Sequence, residues 1–302
     1  MMKRFFVYLA TLLLSSIFLA GNFAFAGDYK IGVLAKRGAA KAIKKWGPTA
    51  DYITEQLQGD TFTIVPLNFE EVFPAIENGE VDFFLVNSSM FVTAKVKYGA
   101  SSIATMINSR QGKALKSFGG VILAYVDRDD INTLADIKGK KFMAVKDSSF
   151  GGWQMAYKEF LDKGINPMED FANVQFGGKH DNVVFAVQNG EVDAGTVRTD
   201  TLERMAATGD IDLSEFKIID AKVHPDFPFV VSTSLYPEWP LAKLASTPDE
   251  LAQRVVSVLM DMKTETNAAK SAKIVGWTAS LDYVEVEDLQ ILLKVGAYQK
   301  TD

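Results

Sequence analysis

One pentapeptide, Asn-Gly-Glu-Val-Asp, occurs twice in the chain, at Asn78–Asp82 and at Asn189–Asp193. Each copy follows an apolar run with helical spacing, "EEVFPAIE" and "NVVFAVQ", and each leads into a short strand-like stretch, "FFLV" and "AGTV". Asn-Gly after a helix is a stop signal, because both residues tolerate the left-handed backbone that ends a helix. Glu-Val-Asp then opens a buried strand, so the repeat marks one helix-to-strand junction in two similar units. Capping dipeptides are common and could coincide, but a polar triplet follows each copy at the same distance. Asn87, Ser88 and Ser89 begin five residues after Asp82, and Arg198, Thr199 and Asp200 begin five residues after Asp193. Both triplets fall at the carboxyl end of a predicted parallel strand, where open α/β sheets bind ligands.

The rest of the chain keeps this rhythm. Tyr29–Ala35 is a short β-rich run, "AAKAIKKWGPTADYITEQL" has helical periodicity, and "FTIVPL" and "VDFFLV" bracket a further helix. Strands separated by helices of this length imply parallel βαβ units and an α/β fold. The pattern restarts at "LADIKGKKFMAV", passes through a helix over about 152–163 and the strand "VQFGG", and reaches the second pentapeptide. A chain of 302 residues is long enough for two such units. The expected organisation is a first lobe of 27–126 and 222–302 with a second lobe, 127–221, inserted. Crossings are expected near "GVILAYVDRD" and "HPDFPFVVS", with "FPFVVS" returning to the first lobe. No Ser/Gly-rich linker separates the lobes, so a hinge is expected and not a loose tether.

Residues 1–26 read as a targeting segment. Lys3 and Arg4 precede the apolar run "FFVYLATLLLSSIFLA", and "AFA" at Ala24–Ala26 offers the small residues a signal peptidase reads. A retained membrane anchor is the alternative; the placement of "AFA" favours cleavage after Ala26 and a periplasmic protein. No lipid-bearing cysteine follows. Removing Lys3 and Arg4 takes the net charge from -6 to -8, which argues against nucleic acid as a partner. With no cysteine and two histidines, His180 and His224, neither a disulfide framework nor a metal site of the usual kind is expected, and no cofactor is implied.

Several stretches resemble the periplasmic phosphate/phosphonate-binding proteins of ABC transporters, the PhnD-like family with the type 2 periplasmic-binding fold. They are "IGVLA", "WGPTADYI", "NGEVDFFLVNSSMF", "LADIKGKKFMAV", "FGGKHDNVVFAVQNGEVDAGTV" and "FPFVVSTSLYPEW", in family order over nearly the whole chain beyond residue 26. "FGGWQMA", "GTVRTDTLERMAATG" and "LYPEWPLAKL" are similar to the branch that also supplies sensor domains of membrane histidine kinases, such as tetrathionate-type sensors. No kinase or second membrane span follows, so a standalone receptor is expected.

The resemblance implies a cleft lined by residues of both lobes, closed by a hinge. Ser149, Phe150, Gly151 and Gly152 open a helix whose N-terminal amides favour anions, unless they form only an ordinary Gly-rich turn. His180, in "GGKHD", stands where family members place a ligand-contacting histidine; a buried structural or helix-capping role is the alternative. Lys179 reads as a solvated charge. Arg198 suits an oxyanion or an interlobe strut, with Thr199 beside it and Asp200 as cap of the next helix. Lys36, Arg37 and Arg110 add positive charge near the predicted cleft loops, while Trp46, Trp239 and Trp277 read as packing. Phosphonate binders carry a Ser-Thr-Ser-Gly turn where this chain has "SSFGGW", and a tyrosine where it has Phe91. Loss of those hydroxyls argues for a different anion from a phosphonate held in the usual way.

Three functions are weighed. A solute-binding protein would deliver a small anion, phosphate- or phosphonate-like or another oxyanion, to an ABC permease as a monomer. A receptor signalling to a membrane histidine kinase is the alternative. An enzyme is disfavoured, because no G-x-S-x-G, H-E-x-x-H or cysteine nucleophile is present.

Overall fold

The computed structural model describes residues 27–300; the expected targeting segment lies outside them. In chain order the strands are β1 Asp28–Leu34, β2 Thr61–Leu67, β3 Phe83–Leu85, β4 Ser101–Arg110, β5 Lys113–Leu115, β6 Ser117–Phe118 and β7 Gly120–Tyr125. They continue with β8 Lys141–Ala144, β9 Asn173–Phe176, β10 Ala194–Arg198, β11 Phe216–Ile219, β12 Tyr236–Pro237, β13 Pro240–Lys243 and β14 Ile274–Ala279. One sheet runs β14-β4-β13-β3-β1-β2, with β5 on β4; a second runs β11-β7-β10-β8-β9. In the first, β1 is parallel to β2 and β3, and β13 lies antiparallel between β3 and β4. In the second, β8 is parallel to β9 and β10. The fold is the two-lobed α/β class expected from the sequence.

The repeated pentapeptide builds the same junction twice, down to single hydrogen bonds. Gly79 and Gly190 adopt φ 64° and 71°, the left-handed conformation that stops the preceding helix. Glu80 N–H donates to Ala75 O and Glu191 N–H to Ala186 O, each at 2.9 Å, while Gly79 and Gly190 donate to Ile76 O and Val187 O. This is the Schellman pattern, which satisfies carbonyls the helix end leaves unpaired. The closing Asp then grips the neighbouring strand. Asp82 accepts from Lys30 N–H at 2.7 Å and returns its own N–H to Lys30 O; Asp193 does the same with Lys141 at 2.7 Å. Each copy thereby sets a strand against a parallel neighbour, β3 against β1 and β10 against β8.

The crossings fall elsewhere than the sequence suggests. Gly120–Tyr125, expected within the outgoing crossing, is a central strand of the second sheet, antiparallel to both β10 and β11. On the return, Phe229–Ser232 does not rejoin the first sheet. Val231 bridges Lys222, Ser232 N–H donates to Gly120 O at 2.9 Å, and the Ser232 hydroxyl donates to Ile219 O at 2.7 Å. The connection between lobes is the short antiparallel pair β6–β12, with Phe118 opposite Tyr236. The expected boundaries at 126 and 222 therefore move to about Gly119 and about Thr233. A strand buried on both faces reads as a featureless apolar run, so its pattern does not say which sheet takes it.

The second lobe has apolar clusters on both faces of its sheet, Val121 and Leu123 on one and Ile122 and Ala124 on the other. Phe150, from the second lobe, packs instead with the crossing: its ring lies 6.0 Å from Phe118 and 5.1 Å from Tyr236, edge-on to both. No helix among the described residues is long and apolar enough to cross a membrane.

Candidate functional site

The carboxyl ends of β1, β4 and β10 line a cleft between the lobes of about 740 Å³, and residues after β3 and β8 reach its inner end. A recess of about 20 Å³ opens from it, lined by Asn87, Ser149, Phe150, Gly151, His180 and Arg198 among others. Leu34, Lys36, His180, Arg198 and Trp239 line both spaces and join them.

The floor of the recess is a helix start. Phe150–Gln154 is wound as a π-helix, with Gln154 N–H donating to Ser149 O at 3.1 Å, and continues as the α-helix Met155–Asp162. Its first amides have no acceptor within the helix, which is what draws an anion to a helix N-terminus. The glycines are there for space. A Cβ on Gly151 would stand 2.8 Å from the Phe118 ring and 2.9 Å from Arg198 Cβ; one on Gly152 would stand 2.5 Å from Val145 and 2.9 Å from the His180 ring. A hydroxyl side chain at 151 has no room here. Gly152 backs this wall but does not face the recess.

His180 opens the helix His180–Gln188, and its Nδ1 accepts from Arg198 N–H at 3.3 Å. An accepting Nδ1 assigns the proton to Nε2, which makes the ring a donor there. Burial first, then the charges of Lys36 and Arg198, push its pKa well below the usual histidine value. The ring is neutral at physiological pH. Arg198 Nη2 donates to Glu238 Oε1 at 2.8 Å, and its guanidinium lies 4.3 Å from the centre of the Phe118 ring. Glu238 is 1% exposed and also accepts from the Asn108 amide. Arg198 is thus held by a carboxylate next to the crossing strands, the strut arrangement, while remaining on the cleft wall.

Two amines dominate the other wall. Lys36 Nζ lies 4.7 Å from the Trp239 ring centre, and Lys45 Nζ lies 4.7 Å from that of Trp46. Both are partly open to the cavity, yet the protein around them excludes most bulk water. Desolvation, followed by repulsion from Arg198 and Arg37, lowers the Lys36 pKa well below the usual lysine value. Desolvation, followed by Arg110 and Arg198, brings Lys45 down to about 7.

Other expected site residues serve the frame. Ser88 donates to Pro237 O at 2.6 Å, and Ser89 Oγ accepts from Gln290 at 2.7 Å; neither lines the cleft. Of that triplet only Asn87 reaches the recess. It caps the helix Ser88–Tyr98 through Met90 N–H and donates across the cleft to Ser148 O at 3.2 Å. Asp200 does not cap through its side chain. Its φ is 71°, and its carboxylate pairs with Arg110 at 2.6 Å, joining the end of β4 to the end of β10. Thr199 lines the larger space and donates its N–H to Gly119 O. Phe91 packs edge-on against Tyr283 at 5.0 Å, and Lys179 is exposed. Trp46 and Trp239, read as packing, face the cleft; Trp277 stays in the core, 6.3 Å from Trp46. Sequence reasoning missed Phe118, Lys45, Asn108 and Glu238. The lone acid in the apolar "YPEW" was the signal for Glu238. Among the described residues no group of three His, Cys, Asp or Glu is placed to hold a metal.

Comparison with known proteins gives three kinds of match. The family described as the periplasmic substrate-binding protein of phosphonate ABC transporters matches residues 31–288. The tetrathionate sensor histidine kinase TtrS of Salmonella typhimurium is 33% identical over 277 residues, 91% of this chain and 45% of that protein. The chain thus spans under half the length of that relative. Among solved structures, a binding component of a phosphonate ABC transporter from Pseudomonas aeruginosa superposes with TM-score 0.70 at 16% identity, covering 88% of this chain and 86% of the other. PhnD1 from Prochlorococcus marinus, in complex with methylphosphonate, gives TM-score 0.69 at 15% identity, covering 88% and 98%.

Proposed function

The chain belongs to the family of periplasmic substrate-binding proteins of phosphonate ABC transporters, and from that premise we propose that it captures a small anion in the cleft between its lobes and delivers it to an ABC permease. Family membership implies an extracytoplasmic location. The observation that carries the anion is the cleft's charge balance: Arg198, Arg110 and Arg204 are matched by Glu238, Asp200 and Asp181, whereas Lys36, Arg37, Lys41, Lys44, Lys45 and Lys273 line it without an ion-pair partner among the described residues, against one unpaired lining carboxylate, Glu203. Asn87, Ser149, the amides at Gly151, His180 Nε2 and Arg198 are the proposed contacts in the recess, with Thr199 on the larger wall. Phe150 supports the crossing and Arg110 closes the rim. Gly152 supplies room for His180, and Ser88 and Ser89 hold the frame.

No covalent chemistry is proposed. An anion touching both lobes binds the closed form better and shifts the population toward it. The bulk of Phe150 and the lack of room at Gly151 favour an oxyanion other than a phosphonate clamped by hydroxyls.

A second reading rests on identity. The similarity to a tetrathionate sensor kinase, at 33% over most of this chain, exceeds that to the transporter components. It supports a receptor that passes its liganded form to a membrane kinase. A thermal-shift screen of the purified protein against phosphate, methylphosphonate, thiosulfate, tetrathionate and small carboxylates tests the anion claim. An anion at 100 times its Kd adds about 2.7 kcal/mol to stability. No shift with any of them, beside a shift with a neutral solute, contradicts the proposal. Pull-down with the neighbouring permease or kinase separates the two partners.

A further inference from the structure

The recess and the larger cleft do not share all their positive charge. Lys36 faces both spaces, but Lys45 and Arg37 line only the larger one. Arg37 Nε is buried without a hydrogen-bond partner among the described residues, and the same holds for Trp239 Nε1 on the wall joining the two spaces. Buried donors are almost always satisfied, so the Arg37 and Trp239 donors, both on residues that line the larger cleft, leave hydrogen bonds there for an acceptor to take. A volume of about 740 Å³ also lies in the range that encloses a ligand of many atoms, well beyond a single oxyanion.

Resting on the anion-receptor reading, we propose that Lys45 and Arg37 form a second anion subsite, so that the ligand is a molecule with two anionic groups. One group sits in the recess near His180 and Arg198. The other meets Lys45 and Arg37, and the stretch between passes Lys36 and Trp239. The charged groups acting on Lys45 are Arg110, Arg198 and Arg37, which oppose its protonation, and Glu238, which favours it. An anion at Lys45 adds to the favourable side, so its binding at pH 8 draws a proton from solution. A ligand confined to the recess has Lys36 alone, of these two amines, within its space.

Calorimetry with α,ω-dicarboxylates from succinate to suberate, each beside the monocarboxylate of equal length, tests this at pH 8 in buffers of different ionisation enthalpy. The expected result is a preferred length at which the dianion binds about tenfold or more tightly than its monoanion, with proton uptake. Lys45→Met keeps the stem and removes the charge; it should erase that preference, weakening the dianion at least about fivefold more than its monoanion. Lys45→Gln repeats the test should the Met variant melt at lower temperature. Equal affinity for dianion and monoanion, or an equal loss of both in the lysine variants, overturns the second subsite and leaves the anion receptor standing. Absence of binding by any anion overturns both.

Discussion

At the residue scale the decisive pair is Arg198 with Glu238. Their side chains are 11% and 1% exposed, so removing either partner strands a charge in a site with little water. Arg198→Ala is expected to cost about 3–5 kcal/mol of stability. Glu238→Gln in the same chain should recover much of that, because no unpaired carboxylate then remains. A denaturant double-mutant cycle measures this, and additive losses would mean that the two side chains do not act as a pair. Affinity in Arg198→Ala alone is thus an ambiguous measure of ligand contact. The sequence marked Arg198, His180 and Asn87 through their place after strands. It could not separate Asn87 from Ser88 and Ser89, because one helix turn points successive side chains in different directions. Lys45 was hidden for the same reason: in "AIKKWG" it looks like one solvated lysine among several, and only the fold turns it toward Trp46 and the cleft.

At the element scale, besides Arg198 with Glu238, the lobes are joined by Arg110 with Asp200, Lys146 with Glu70, and Asn87 with Ser148. The Arg110 pair joins two strand ends on the cleft rim and is partly exposed, at 17% and 24%. Arg110→Gln should therefore change stability by no more than about 1 kcal/mol. Its expected effect is on closure: a larger radius of gyration by small-angle scattering, with the difference from the native protein shrinking at high salt as the native ion pair is screened. An unchanged radius at low salt would show that this pair does not hold the lobes. The alternation of strands and helices and the repeated junction were legible because they are local. Asn-Gly fixes a Schellman stop, and the following Asp binds one specific backbone N–H. The crossings were not legible. Gly120–Tyr125 and Phe229–Ser232 are apolar whichever sheet they join, and pairing across more than 100 residues leaves no periodic trace.

At the scale of the whole molecule, the lowered lysines couple anion capture to pH. Lys45 must be protonated to attract an anion, and its pKa is about 7. Affinity should be flat below about pH 7 and fall above it, by up to about tenfold per pH unit for one coupled proton. His180, held neutral by burial, contributes no step of its own at or above the usual histidine value. The sign for stability is the reverse. Between about pH 7 and the unfolded lysine value near 10.4, the unfolded chain binds more protons at this site, so its contribution to stability rises with pH. Calorimetry and melting curves across that range check both signs, and affinity independent of pH would remove Lys45 from the binding site.

The central claim is that an anion binds in the cleft between the lobes. Trp239 and Trp46 line it, with a lysine ammonium against each ring, whereas Trp277 is in the core. Intrinsic fluorescence therefore reports occupancy at the site itself. In a titration with the most stabilising anion, the account predicts a saturable change in tryptophan emission that is greatly reduced in Trp239→Phe. Unchanged emission at saturating anion, or an undiminished change in Trp239→Phe together with Trp46→Phe, would place the ligand outside the cleft and contradict it.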